Sequence, residues 1–181
     1  MFACRLSDDA QLRVMELHHA DEVFAAVDAN REHLRRWMPW VDGSRSAEDT
    51  RTFIRGALDR FARGEGMSLG LWLGGRVVGS VGVHDVHRDY RRAEVGYWLV
   101  ESAQGKGLMT TACRALVDHL FRERGLNRVE IRCEPDNHRS RAIPGRLGFV
   151  QEGVLRQAAW MYGRPVDHVV YAMLAADWSS R

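Results

Sequence analysis

The chain has 181 residues, a length suited to one domain with a substantial core, and its 26 basic and 24 acidic side chains leave a formal net charge of only +2. That balance gives no reason to expect nucleic acid as a partner, no apolar run reaches membrane-spanning length, and Met1-Phe2-Ala3-Cys4-Arg5 lacks the apolar core of a signal peptide. The expectation is a single domain over 1–181, cytoplasmic and away from the membrane. Three scattered cysteines, Cys4, Cys113 and Cys133, make neither a disulfide framework nor a metal-spaced cluster, so reduced thiols and no metal are expected.

Leu12, Val14 and Leu17 suggest a first strand, and Asp21 to Arg36 reads as one or two helices ending at the turn Trp37-Met38-Pro39-Trp40. Asp49 to Arg63 is another helix, closed by Gly64 and Gly66. Met67 to Leu73 and Arg76 to His84 read as strands joined by Gly74-Gly75, a hairpin signal, and a third strand, Arg92 to Val100, continues an antiparallel meander. From Leu108 the apolar residues Met109, Ala112, Leu116 and Leu120 fall at helical spacing, and Gly125 marks a stop. Arg128 to Cys133 alternates as a half-buried strand, which the helical crossover should set parallel to the strand before it. A short helix from Asn137 to about Arg146 and two strands, Phe149 to Tyr162 and Pro165 to Leu174, complete a mixed α/β sheet with helices on both faces.

The junction Gln104-Gly105-Lys106-Gly107-Leu108-Met109-Thr110-Thr111 carries the chemistry. It sets a glycine turn between a strand and a helix, where the backbone can approach an anion and free amides at the positive end of the helix dipole can hold a pyrophosphate. A P-loop would need glycine where Val100 or Glu101 stands and Ser or Thr where Gly107 stands. A dinucleotide fingerprint would need glycine at Thr110. Both are excluded.

What remains, Gln-x-x-Gly-x-(Gly or Ala), resembles the signature of the GNAT superfamily of N-acetyltransferases, with Met109 as a departure at its last position. Gly-Lys-Gly-Leu-Met-Thr is similar to the RimJ/RimL branch, and so are Ala93 to Leu99, Asn137 to Ser140 leading into Arg146-Leu147-Gly148-Phe149, and Leu34 to Trp40. The resemblance implies a GNAT-like sheet in which the two central parallel strands splay apart, and acetyl-coenzyme A as co-substrate. Its pyrophosphate would lie on Gln104, Gly105, Lys106, Gly107, Leu108, Met109 and Thr110, and its pantetheine arm on the backbone of Trp98, Leu99 and Val100. It also implies an acceptor that is a protein N-terminal amine, such as that of a ribosomal protein, with a small amine such as a polyamine, antibiotic or amino acid as the runner-up. A non-catalytic acetyl-coenzyme A sensor is the alternative from another class, and a homodimer is compatible with either.

Acetyl transfer needs a proton for the leaving thiolate. Ser140, in the first turn of the helix that begins near Asn137, is the candidate, and Pro144 has no N–H to give to the Ser140 carbonyl, which leaves polar groups of that turn available. Asn137 would hold the pantetheine amide or a water; the competing reading makes both residues helix caps. Glu94, on the strand that would carry the thioester and on the face of Trp98, leads Glu134 and Glu152 as general base; Ala159 stands where several relatives carry glutamate, a departure that leaves a water-mediated relay as the alternative to a direct carboxylate base. Trp37 and Trp40 resemble the branch's acceptor-site wall but equally suit a core. Arg31, Arg35, Arg36, Arg88, Arg91 and Arg92 read as solvated clusters or as a basic surface, and His84 and His87 as surface histidines.

Overall fold

Alternating apolar residues and glycine turns fold eight strands into one mixed sheet in the computed structural model, which describes residues 3–179. The strands are β1 (Ala3–Arg5), β2 (Ala10–Val14), β3 (Met67–Leu73), β4 (Arg76–His87), β5 (Arg92–Leu99), β6 (Arg128–Cys133), β7 (Val150–Met161) and β8 (Arg164–Leu174). The helices are α1 (Ala20–Asp28), α2 (Arg31–Arg35), α3 (Ala47–Arg63), α4 (Leu108–Arg122), α5 (His138–Leu147) and α6 (Ala175–Ser179). Their order in the sheet is β1-β2-β3-β4-β5-β6-β8-β7, antiparallel throughout except for the β5–β6 pair.

Each strand turns alternate residues to opposite layers. Ala93, Val95, Tyr97 and Leu99 of β5 pack in the larger core with Met109, Ala112, Cys113, Leu116, Val117, Leu120 and Phe121 of α4. Trp98 packs on the other face, against Met15, Val23, Ile54 and Trp72 and against Val27, Leu34 and Val41. Gly74 and Gly75, with φ of 56° and 79°, supply the two left-handed residues of a tight β3–β4 turn. Gly64, with φ of 67°, ends α3.

Several boundaries differ from the expectations. The stretch Asp21 to Arg36 holds two helices, and Leu17 lies outside the first strand, opening a 3-10 turn. β4 continues to His87 through Asp85, whose φ of 51° is unusual for a residue with a side chain. β1 and α6, both short, were not expected.

Candidate active site

The start of α4 is open toward an anion. Gly105 and Gly107 both have φ of 76°, and Gly107 is the N-cap without any side-chain cap bond. Helical bonding begins with the Thr111 N–H to the Gly107 carbonyl at 3.0 Å, so the amides of Leu108, Met109 and Thr110 precede the first bond. No acidic residue stands in this first turn. A Cβ built on Gly105 or Gly107 would meet nothing within 4 Å; the room a side chain would take belongs to the cleft. Lys106 between them is exposed. Gln104 supports the turn from below, with its amide nitrogen 2.7 Å from His33 Nε2 and its carbonyl accepting from Arg139.

The β5–β6 ladder stops early. Arg92, Ala93 and Glu94 pair with Arg128, Val129 and Glu130, and from there the two strands part while β6 keeps its partner β8 as far as Cys133. The opening leads into a cleft of about 860 Å³ lined by residues that include Tyr97, Trp98, Leu99, Gly105, Gly107, Thr110, Asn137 and Ser140. Met109 is buried in the core at 4% exposure and also lines the cleft. Val100 departs from the expectation. It has left β5, its N–H donates to the Val78 carbonyl and its own carbonyl accepts from Ala103, so strand-like backbone for a pantetheine arm is confined to Trp98 and Leu99.

Three polar side chains meet at the open end of the splay. Ser140 Oγ lies 3.1 Å from Cys133 Sγ and donates to the Tyr97 hydroxyl at 3.2 Å, while the Tyr97 hydroxyl donates to the Ser140 carbonyl at 3.0 Å. That carbonyl is the one Pro144 cannot satisfy. Asn137 accepts from the Ser140 N–H at 3.2 Å and so caps α5, which leaves its amide nitrogen for the cleft. Burial drives the Tyr97 phenol well above its ordinary value and pushes the Cys133 thiol up, so both keep their protons at neutral pH. Tyr97 was not among the expected site residues. Its signal is the β5 alternation, which sets it with Val95 and Leu99 on the α4 face.

Glu94 sits on the opposite face at the root of the splay, 19% exposed, with Arg132 Nε at 3.2 Å and His84 Nε2 at 3.4 Å. Ser140 and Glu94 thus flank the opening from opposite sides of the sheet. Trp37 lines the cleft, and Trp40, 45% exposed, tilts toward Trp98 with ring centroids 6.3 Å apart. The arginine clusters are largely committed inside the fold. Arg31 and Arg35 bind Asp28 and Asp42, Arg88 and Arg91 donate to the carbonyls of Arg63 and Gly125, and Arg92 pairs with Glu130. His87 pairs with Asp85, and among the described residues no group of three metal-binding side chains converges.

The comparisons with known proteins bear on this arrangement. A family model described as acetyltransferase (GNAT) domain matches residues 10–150. The chain belongs to the GNAT acetyltransferases. The acetyltransferase is 33% identical to the putative ribosomal N-acetyltransferase YdaF of Bacillus subtilis over 98% of each chain. It is 28% identical to the ribosomal-protein-serine acetyltransferase of Escherichia coli, over 94% of this chain and 95% of that protein. Its fold superposes on RimL, the ribosomal L7/L12 α-N-protein acetyltransferase, in complex with coenzyme A held as a cysteine disulfide, with a TM-score of 0.92, 28% identity and coverage of 98% and 99%. The protein is an N-acetyltransferase that uses acetyl-coenzyme A, and the open α4 start and splayed strands fit that co-substrate.

Proposed function

We propose that this enzyme acetylates a protein N-terminal α-amine by direct attack on the thioester, in the cytoplasm. The observation that carries the proposal is the convergence of Ser140, Tyr97 and Cys133 at the open end of the β5–β6 pair, beside an uncapped helix start. The co-substrate supplies an acyl group activated by a thiol leaving group. The amides of Leu108 to Thr110 and the glycine turn bind its pyrophosphate, and the Trp98 and Leu99 backbone aligns its arm. Ser140 gives its hydroxyl proton to the leaving sulfur, and the Tyr97 hydroxyl, which accepts from Ser140 Oγ at 3.2 Å and donates to the Ser140 carbonyl, holds that side chain in position. On the other face Glu94, fixed by Arg132 and His84, takes the proton of the amine through water. Trp37 and Trp40 wall the acceptor side.

An α-amine suits this machinery because it asks little of a base. Its reference pKa is about 7.8 against about 10.4 for lysine, so its neutral fraction at pH 7 is larger by roughly two and a half orders of magnitude. Two Escherichia coli relatives bear names that specify ribosomal serine and uS5 alanine as acceptors, which supports the same class. The test compares lysine-free peptides with a free N-terminus against N-terminally blocked peptides with lysine, from about pH 6 to 9, reading thiol release. Preferential turnover of the free N-termini is expected. Preference for the blocked lysine peptides would overturn the proposal.

A further inference from the structure

Coenzyme A carries a pyrophosphate and, on the 3′-oxygen of its ribose, a separate phosphate monoester. The open start of α4 accounts for the first, through the amides of Leu108, Met109 and Thr110. The monoester bears a charge of about −1.5 to −2 at neutral pH and asks for a cation of its own.

The cleft continues past the glycine turn. α4 follows β5 and α5 follows β6, so both helices set out from the same end of the parallel pair, and the cleft wall takes in Thr110 and Thr111 of α4 and Ile143 and Arg146 of α5. Two arginines line it, Arg139 and Arg146. Seven residues apart on one helix, they share a face and stand about 10 Å from each other along the axis. Arg139 is committed, since its guanidinium donates to the Gln104 side-chain oxygen and so belongs to the glycine turn. Arg146 is not. It is exposed, and among the described residues no hydrogen bond or ion pair holds its guanidinium. Lys106 is the competing cation, but it is absent from the residues that line the cleft.

A cation in the last turn of a helix is favoured by the negative pole there, which accounts for a basic residue at position 146 but not for its place in the cleft wall. A guanidinium presents its N–H groups in a planar fork that matches two oxygens of a phosphate. We infer that Arg146 binds the 3′-phosphate and is the residue by which this enzyme discriminates coenzyme A from the same molecule without that group. The inference rests on the acetyl-coenzyme A reading of the cleft and is independent of the acceptor. The monoester is remote from the thioester, so its contact is equal in ground and transition states and belongs to KM rather than kcat.

The test titrates the full chain calorimetrically with coenzyme A and with 3′-dephospho-coenzyme A, in the absence of any acceptor. The wild type should bind coenzyme A at least tenfold more tightly, by a margin that narrows as salt is raised. Arg146→Met should bring coenzyme A down to the affinity of the dephospho compound and leave the latter within twofold, while Arg146→Lys keeps part of the difference. Steady-state kinetics should show KM for acetyl-coenzyme A raised at least tenfold in Arg146→Met with kcat within twofold. Equal affinity of the wild type for the two compounds, an equal loss of both in Arg146→Met, or discrimination that vanishes in Lys106→Met and survives in Arg146→Met would overturn the role of Arg146. A wild type that binds neither compound would overturn the co-substrate site itself. Preference for blocked lysine peptides would overturn the α-amine reading alone and leave these titrations unchanged.

Discussion

α3 and α4 are the two longest helices, of 17 and 15 residues, and they begin in opposite ways. α3 opens with Ser46, whose side chain accepts from the Asp49 N–H, and with Glu48 and Asp49 in its first turn; its free amides and positive pole are satisfied by the chain itself. α4 opens with a left-handed Gly107, no cap bond and no acid. A helix built for stability closes its own N-terminus, and one built for an anionic ligand forgoes that stabilisation. The difference is the one that the proposed pyrophosphate site at the start of α4 requires.

The comparison can be sharpened at a third helix start. In α5 the Asn137 cap occupies the Ser140 amide and leaves the hydroxyl beside Tyr97 and Cys133, so the cap and the proposed proton donor are different residues. Ser140→Ala should lower kcat roughly tenfold to a thousandfold and leave coenzyme A affinity within twofold. Steady-state kinetics and thermal melts check it. Lost stability with normal turnover would return Ser140 to a structural role.

Giving α4 the charge pattern of α3 should move stability and binding in opposite directions. Thr110→Asp places a carboxylate in the first turn, which favours the helix by about 0.5 kcal/mol and repels a pyrophosphate by about 2 kcal/mol, or roughly thirtyfold in affinity. A variant that melts higher and binds coenzyme A equally well would break the comparison. The reciprocal change, Ser46→Ala, should cost α3 about 1 kcal/mol in denaturant unfolding and leave coenzyme A affinity unchanged.

The smallest effect is a pH dependence confined to α3. The Ser46 hydroxyl and then the Arg45 N–H hold the Asp49 carboxyl below its ordinary value of 3.8. A depressed acid contributes stability that is present above its unfolded value and disappears as pH falls through its folded value. Amide exchange in the first turn of α3 should therefore accelerate below about pH 3.8, and less so in Ser46→Ala. The start of α4 has no acid to titrate and should show no such step.

The glycine turn and α4 were legible because they rest on local rules: positive φ at Gly105 and Gly107, and apolar spacing at Met109, Ala112, Leu116 and Leu120. The freed Ser140 carbonyl opposite Pro144 was legible for the same reason, whereas the role proposed for the Ser140 hydroxyl came from the resemblance to the RimJ/RimL branch, since local rules alone favour a helix cap. Tyr97 was not, since alternation shows that it opposes Trp98 but not which face meets α5 across 43 residues of sequence. The early end of the β5–β6 ladder is a tertiary fact, as is the commitment of Val100 to Val78. α6 forms on a contact outside its own sequence, Trp178 Nε1 to Asp118 at 2.8 Å. The bulge of β7 at Gln157, with φ of 50° and its N–H on Asp167, has no glycine to announce it.

Calorimetric titration of folded Gly107→Val with acetyl-coenzyme A tests the open helix start most directly. The added side chain enters space that is otherwise cleft, and its branched Cβ strains a φ of 76° by about 1–2 kcal/mol. A protein that keeps its circular dichroism and melts somewhat lower, with affinity reduced at least thirtyfold, is the predicted result. Wild-type affinity in that folded variant would contradict the assignment of the pyrophosphate to the start of α4.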